Sequence, residues 1–215
     1  MSVLLETSVG DLVIDLEVEA CPKICENFLK LCKVYYYNLN AFFNGPFLSS
    51  DRLHYSPKLT KIKETVSKDF LAQVGDPSAT GTGGESIWSL LASGSSSNPS
   101  VSRYFPPEIL TRLKHTHKGT VSMAVAPALE GHTKGGCGSQ FFVTLGDNID
   151  YLDGKHAVFG HVVEGLDTLD KLNDVFTDQE GRPLKDVRIR HVVVLGEYFL
   201  SSLRASRTAL TIHGP

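Results

Sequence analysis

Gly138-Ser-Gln-Phe-Phe-Val-Thr-Leu145 is the stretch of sequence that indicates the fold most directly. From Gln140 onward it is rich in residues that favour a β-strand, in which successive side chains point to opposite faces. Gln140 and Phe142 then share one face, and Phe141 takes the other. One phenylalanine can therefore line a pocket while its neighbour fills the core.

Six further segments carry strand signals, and turns rich in Gly, Asp, Asn and Pro separate them. Two other segments show helical spacing. Pro22 suits a first helical turn and apolar residues recur through residue 33, while a shorter helix follows the Glu164-Gly165 break. The pattern predicts a mainly β protein, a closed antiparallel barrel with two capping α-helices. The seven predicted strands are residues 3–6, 11–18, 68–74, 119–125, 140–145, 156–163 and 187–195.

The chain has 215 residues and a mass of 23.5 kDa, which favours one domain. Its 41% apolar and 21% charged residues exclude a fully disordered chain, a collagen and a membrane bundle. A net charge of -3 gives no electrostatic reason to expect binding to nucleic acid or to an anionic membrane. The first residues lack the pattern of a secretory signal, so we expect a nuclear or cytoplasmic protein whose cysteines need not be paired.

Five motifs occur in order along the chain, and each would be a weak signal alone. Together they resemble the cyclophilin family of peptidyl-prolyl cis-trans isomerases. The resemblance implies that the barrel has eight antiparallel strands. The motifs are Phe70-Leu-Ala-Gln-Val-Gly-Asp76, Gly81-Thr-Gly-Gly-Glu-Ser-Ile87, Gly119-Thr-Val-Ser-Met-Ala124, Gly138-Ser-Gln-Phe-Phe142 and Tyr151-Leu-Asp-Gly-Lys-His-Ala-Val-Phe-Gly160.

Within that family the chain looks most like a nuclear branch whose members carry a downstream RNA-recognition domain. The signature of that domain does not occur before residue 215. We expect a cyclophilin-like domain over residues 1–197, with insertions at about 45–65 and 91–105, and a poorly ordered tail over residues 198–215. The residues that carry the closer resemblance are Leu5-Glu-Thr-Ser8, Tyr36-Tyr-Asn38, Asp69-Phe70 and residues 115–123.

The resemblance also implies a substrate site. An apolar notch would take a proline ring, two side chains would form its rim, and polar side chains would hydrogen-bond the peptide. Phe70, Gln73 and His156 are assigned to catalysis, together with the residue at the usual arginine position. The notch residues are Phe70, Leu71, Phe142 and Leu152, the rim residues are Tyr151 and His156, the polar residues are Gln73 and Gln140, and Ala124 and Gly81 leave room for the peptide backbone.

The chain departs from the family pattern at the usual catalytic arginine. Phe42-Phe-Asn44 occupies the matching stretch, so Asn44 stands at the arginine position, and residues 45–65 then interrupt the strand. Asparagine can donate a hydrogen bond, but it is shorter and carries no charge. Losing one preorganised transition-state donor costs about 3 to 4 kcal/mol, so we expect weak turnover. Arg52 could replace the arginine only if the interrupting segment folds back.

Rotation of an X-Pro amide breaks no covalent bond, so the reaction requires neither a metal nor a cofactor. The first hypothesis is a weakly active peptidyl-prolyl isomerase that assists protein folding or remodelling. The alternative is a non-catalytic adaptor that binds proline-containing segments in a nuclear RNA-processing assembly, with spliceosomal or other nuclear proteins as partners. Nothing in the sequence indicates an obligate oligomer, so we expect a monomer. Phe142 and His156 favour cyclosporin binding, whereas Asn44 and Tyr151 oppose it.

The four cysteines are better explained by structure than by chemistry. Cys21, Cys25 and Cys32 share one side of the predicted helix, but their spacing matches no zinc pattern, so core packing is the expected role. Cys137 lies among glycines and is expected to be exposed and oxidisable.

Two polar groupings could suggest other chemistry. Ser139 with His156 lacks the nucleophile elbow and the placed acid of a hydrolase. His115, His117 and His132 lack carboxylate or thiolate partners at metal-ligand spacing. Both groupings are therefore interpreted as structural.

Overall fold

The computed structural model describes residues 1–43, 69–93, 102–126, 136–178 and 182–196. Seven strands lie in these ranges, one at each predicted segment, together with three α-helices and one 3₁₀ turn. No helix in the described part of the chain is long and apolar enough to cross a bilayer. The strands are β1 (Ser2–Thr7), β2 (Asp11–Leu16), β3 (Leu71–Val74), β4 (Thr120–Ala126), β5 (Gly136–Thr144), β6 (Ala157–Glu164) and β7 (Ile189–Leu195), the helices are α1 (Pro22–Lys33), α2 (Ile87–Ser93) and α3 (Leu166–Asn173), and the 3₁₀ turn is Asp150–Leu152.

The strands pair antiparallel in one sheet, in the order β3-β5-β4-β6-β2-β1-β7. A short segment after α1 connects the two outer strands. Ala41 bridges to Arg188 just before β7, and Phe43 bridges to Gln73 in β3, where the Phe43 amide donates to the Gln73 carbonyl at 2.8 Å. The sheet therefore curls into a barrel. The described residues hold seven regular strands, and between β7 and β3 they show only these isolated bridges.

Helix α1 is amphipathic, and its buried face includes Ile24, Phe28 and Leu31. Its N-cap residue, Cys21, makes no capping hydrogen bond through its side chain. The carboxylate of Glu108 accepts a hydrogen bond from the Ile24 amide at 2.9 Å instead. A distant side chain thus satisfies one of the amide groups that a helix N-terminus leaves without an internal partner.

Helix α2 is an addition to the two predicted helices. Ile87 is its only buried residue, and although Ile87, Leu90 and Leu91 stand at helical spacing, seven residues are too few to establish the period from sequence. The Ser86 hydroxyl accepts a hydrogen bond from the Ser89 amide at 3.3 Å, the arrangement of an N-cap. The Gly-rich turn at residues 81–85 therefore leads into a helix.

The core centres on the ring of Phe28. The rings of Tyr37, Phe141 and Phe159 surround it with centroid separations of 5.2 to 5.3 Å. All four rings are fully buried, and the geometries are tilted or edge-on, as aromatic pairs prefer. This cluster packs α1 onto the inner face of β5 and β6.

All four cysteines lie within the described ranges and are free, buried thiols. Cys21, Cys25 and Cys32 belong to the main core, which confirms the core-packing prediction. Burial raises the pKa of Cys21 to about 11 and that of Cys25 to about 12. The expectation that Cys137 is exposed is wrong, because β5 begins before the predicted strand and places this thiol in the core.

The buried amide of Asn27 connects three elements. Its Nδ2 donates to the Gly138 carbonyl in β5 at 2.9 Å, and its Oδ1 accepts from the Ile87 amide of α2 at 2.8 Å. Asn27 itself lies in α1 and is fully buried. Its two hydrogen bonds therefore fix α1 and α2 against the strand that carries Phe141 and Phe142.

Replacing Asn27 by alanine is expected to lower the free energy of unfolding by about 2 to 6 kcal/mol, because two buried backbone groups lose their partner at about 1 to 3 kcal/mol each. Denaturant unfolding followed by circular dichroism measures the change. Lys23→Ala, at an exposed position of the same helix, is the control and should shift stability by less than about 0.5 kcal/mol. Equal stabilities for the two variants would contradict the connecting role of Asn27.

Candidate active site

The pairing of three neighbouring strands places the centre of the candidate site. Gln73 in β3 lies opposite Phe142 in β5, and Phe142 lies opposite Ser122 in β4. Directly opposed residues share one face of a sheet. Phe141 lies on the other face and belongs to the main core, so the predicted alternation of the two phenylalanines is confirmed.

A second apolar cluster forms around Phe142, separate from the main core. It gathers all four predicted notch residues, from β3 and the residue before it, from β5 and from the 3₁₀ turn. Phe142 and Leu152 are fully buried, and Phe70 is 7% exposed. Ile149 was not among the candidates because it precedes the motif that begins at residue 151. The cluster comprises Phe70, Leu71, Ala124, Phe142, Ile149 and Leu152, with Tyr151 packed against it.

The two predicted rim residues contact this cluster in different ways. The Tyr151 ring stacks on Phe70 with a centroid separation of 5.7 Å and an interplanar angle of 20°. The His156 ring meets Phe142 edge-on at 5.4 Å, and its Nδ1 accepts a hydrogen bond from the Val125 amide at 3.2 Å. His156 is only 4% exposed, so it forms a buried wall, whereas Tyr151 is half-buried.

The predicted polar residues form one hydrogen-bonded chain. Gln73 Nε2 donates to Gln140 Oε1 at 2.7 Å, and Gln140 Nε2 donates to the carbonyls of Gly81 and Gly83 at 3.0 and 2.9 Å. Gly81 has a φ of 80°, in the left-handed region that glycine adopts without steric cost. Gln73 and Gln140 are both buried, so this chain fixes the polar side of the site.

The carboxylate of Asp76 organises the turn that Gln140 contacts. It accepts hydrogen bonds from the amides of Ser78, Gly81 and Gly83 at 2.8 to 2.9 Å, and from the Ser78 hydroxyl at 2.7 Å. Burial alone would raise the pKa of this carboxyl, but the hydrogen bonds from Ser78, Gly83 and Gly81 outweigh burial and lower it. Sequence analysis gave Asp76 no role, although an Asp before a Gly-rich turn is a signal for such an arrangement.

A buried polar chain that sequence analysis missed lies against Phe142. The His115 ring stacks on Phe142 at 5.8 Å, with Nδ1 at 2.8 Å from Asp153 Oδ1 and Nε2 at 3.1 Å from Ser122 Oγ. A carboxylate only accepts, so Nδ1 donates and Nε2 accepts. Burial lowers the pKa of His115 although Asp153 opposes the shift, so the imidazole is neutral at pH 7. Ser122 is fully buried and offers no nucleophile to a substrate.

Ser139 and His156 do not form a hydrolase pair. The Ser139 hydroxyl donates to the Gly75 carbonyl at 2.6 Å and accepts from the Glu85 amide at 3.2 Å. These contacts give the serine a structural role in the loop before α2.

Several assignments made from the sequence fall outside the described residues. They are Asn44, Arg52, His132, the insertion at about 45–65, residues 94–101 of the second insertion and the tail at 198–215.

The barrel, the separate apolar cluster and the polar chain of Gln73 together define a cyclophilin-like domain. The family model for cyclophilin type peptidyl-prolyl cis-trans isomerases matches residues 2–194, so the chain belongs to this family. A crystal structure of a cyclophilin type peptidyl-prolyl cis-trans isomerase from Cryptosporidium parvum, solved in the presence of the dipeptide Ala-Pro, superposes with a TM-score of 0.70 at 30% identity. It covers 92% of this chain and 100% of that one.

Similar proteins carry the name peptidyl-prolyl cis-trans isomerase-like 4. One from Cryptococcus neoformans var. neoformans serotype D is 63% identical over 199 residues, and one from Mycosarcoma maydis is 54% identical over 212 residues. Each match spans 93% of this chain but 34% of the relative. The peptidyl-prolyl cis-trans isomerase sig-7 of Caenorhabditis elegans is 42% identical over 206 residues, which are 96% of this chain and 40% of that protein. The chain thus spans about a third of the length of these isomerase-like 4 relatives.

Asp76→Asn is expected to lower stability at neutral pH by about 2 to 3 kcal/mol, because a charge-assisted acceptor of several buried amides is lost. The folded-state pKa of Asp76 lies below its ordinary value. Its contribution is therefore present above that ordinary value and is lost as the pH falls through the folded-state pKa. Thermal unfolding of both proteins across the acid range measures the difference, which should shrink on acidification.

Asp167→Asn is the control for this experiment, since Asp167 is an exposed carboxylate paired with Lys171 on α3. It should change the melting temperature little at any pH. A constant gap between the Asp76→Asn variant and the wild type across the pH range would refute the role given to the Asp76 carboxylate.

Proposed function

We propose that this chain is a peptidyl-prolyl cis-trans isomerase that acts on X-Pro bonds in protein segments and assists folding or remodelling. The observation that carries the proposal is the apolar cluster around Phe142. It is assembled apart from the main core on a cyclophilin fold, and Tyr151 and His156 contact it from two sides. The Cryptosporidium relative was crystallised in the presence of Ala-Pro, which supports a proline-containing ligand for this cluster.

To catalyse the reaction, the site must bind the X-Pro amide in its twisted transition state. Amide resonance opposes rotation with a barrier of roughly 20 kcal/mol. The side chains of Phe70, Phe142 and Leu152 would hold the pyrrolidine ring and exclude water, while the preceding residue turns about the bond. Binding the twisted form more tightly than either planar form lowers the barrier. No proton leaves the substrate, so His156 acts as a contact and not as a base.

Substrate entry requires a local movement. Phe142 and Leu152 are fully buried, so a proline ring reaches them only after a covering side chain moves. Tyr151 is the partly exposed side chain of the cluster, and its ring covers Phe70. We assign Tyr151 to the entrance of the site.

Turnover by this chain is expected to be weak, because Asn44 stands at the position where the family has its arginine. An uncharged amide stabilises the developing lone pair of the prolyl nitrogen less well than a guanidinium does. This substitution also favours the second candidate function, a proline-peptide adaptor in a nuclear RNA-processing assembly. For both functions we propose a nuclear or cytoplasmic location.

Titration with a short Ala-Pro peptide, followed by amide NMR, is expected to shift the signals of residues in and around the cluster. Residues 70–71, 124–125 and 151–156 should respond, whereas α3 should not. Shifts elsewhere, or no shifts at millimolar peptide, would remove both candidate functions. The rate of cis-trans exchange of the peptide, measured by NMR on the same sample, then separates the two functions. An isomerase accelerates this exchange, whereas an adaptor binds the peptide without accelerating it.

Asn44→Arg is expected to raise kcat/KM by about a hundredfold, because it restores one charged transition-state donor. The measurement is a proline-peptide isomerisation assay at equal concentrations of folded protein. Asn44→Gln is the matched control, because it lengthens the side chain but adds no charge, and it should stay within about threefold of the wild type. An unchanged rate for Asn44→Arg would show that Asn44 does not occupy the arginine position.

A further inference from the structure

His115 makes three hydrogen bonds to the segment that forms one side of the site. Its amide donates to Asp153 Oδ1 at 2.9 Å, its carbonyl accepts from the Ile149 amide at 2.9 Å, and its Nδ1 donates to Asp153 Oδ1 at 2.8 Å. One residue thus holds both ends of the segment from Ile149 to Asp153. The next residue, Thr116, makes one such hydrogen bond, in which its carbonyl accepts from the Asn148 amide at 3.0 Å.

The segment held in this way carries the pocket side chains Ile149, Tyr151 and Leu152. Ile149 and Leu152 are buried in the apolar cluster, and Tyr151 packs against it. The 3₁₀ turn contains only Asp150–Leu152, which is too short to be rigid alone. Its position therefore depends on the packing of Ile149 and Leu152 and on the hydrogen bonds at its two ends.

The other contacts of His115 reach the floor of the same pocket. Its ring stacks on Phe142 at 5.8 Å, and its Nε2 accepts a hydrogen bond from Ser122, the residue opposite Phe142 in the sheet. His115 is 1% exposed, and its ring is already engaged with Phe142, Asp153 and Ser122. Any effect on substrate must pass through Phe142 and the 149–153 segment.

We infer that His115 is a positioning residue of the proline pocket, which fixes the Tyr151–Leu152 turn at a set distance from the Phe142 ring. This inference rests on the proposed function, because it assigns the pocket to proline peptides. In the proposed complex, Tyr151 and Leu152 contact the proline ring of the substrate both when the X-Pro amide is planar and when it is twisted. Loosening their turn therefore weakens binding of both states and raises KM while kcat is retained.

The test compares His115→Phe with His117→Phe. The first substitution keeps a ring to stack on Phe142 and removes the imidazole bonds to Asp153 and Ser122. The second removes an exposed imidazole from the same loop, where His117 uses only its backbone carbonyl as an acceptor. We call the hydrogen bonds between His115 and residues 149–153 the clamp. Asp153→Asn weakens the clamp from the side of the turn, and the Asp153 side chain is 24% exposed. This variant replaces His115→Phe in the test if His115→Phe does not fold.

His115→Phe and Asp153→Asn are each expected to raise KM, and the dissociation constant of an Ala-Pro peptide, by about tenfold with kcat within about twofold. That factor corresponds to the net loss of one to two hydrogen bonds. The double variant should be little worse than His115→Phe alone, because both substitutions act on the same side-chain hydrogen bond between His115 and Asp153. A residue that only stabilised the fold would reduce the number of active molecules, and thus apparent kcat, at unchanged KM. That result, or an unchanged peptide affinity, would overturn the inference.

Hydrogen exchange separates this inference from the proposed function. The Ile149 and Leu152 amides are hydrogen-bonded within or next to the clamp, and they should exchange faster in His115→Phe than in His117→Phe, while β5 amides keep their protection. If the wild type binds no proline peptide, the proposed function fails. The hydrogen-exchange rates then remain as the test of whether His115 holds the turn. Unchanged exchange at Ile149 and Leu152 would then refute it, and faster exchange confined to this turn would support it.

Discussion

The register between β3, β5 and β4 is the constraint on which both the core and the candidate site depend. Val74, Phe141 and Met123 stand opposite one another and are fully buried in the main core. The adjoining row places Gln73 opposite Phe142 on the outer face. A slip of one residue would turn Phe141 out of the core and bring a polar amide into it, so burial of the inner row enforces the geometry of the outer one.

Two separate polar networks then hold the two sides of the site. Asp76 and Gln140 fix the Gly-rich turn on one side, and His115 fixes the 3₁₀ turn on the other. Phe142 lies between them. Buried polar groups stabilise a structure only when their partners are present, so these hydrogen bonds define one arrangement of each turn. The apolar cluster thus lies between two turns that polar contacts hold in place.

The features that were predicted correctly are those with a local periodic signal. Alternation along β5 and helical spacing in α1 are visible within a dozen residues, and the order of five motifs sufficed for the family. Helix α2 was missed because its apolar residues Ile87, Leu90 and Leu91 cover little more than one turn, which is too short for a period to be recognised. The burial of Cys137 depended on how far β5 extends. The partners of His115 lie 7 and 38 positions away, on β4 and beyond the 3₁₀ turn, and only tertiary packing brings them together.

The closure of the sheet has a consequence beyond catalysis. Ala41 forms a bridge next to β7 and Phe43 forms one with β3, and these are the outermost strands of the described sheet. An uncovered outer strand offers a row of backbone groups to other chains and is a template for aggregation. Ala41 and Phe43 thus place backbone partners at both outer edges, where an unpaired strand would be open to another chain.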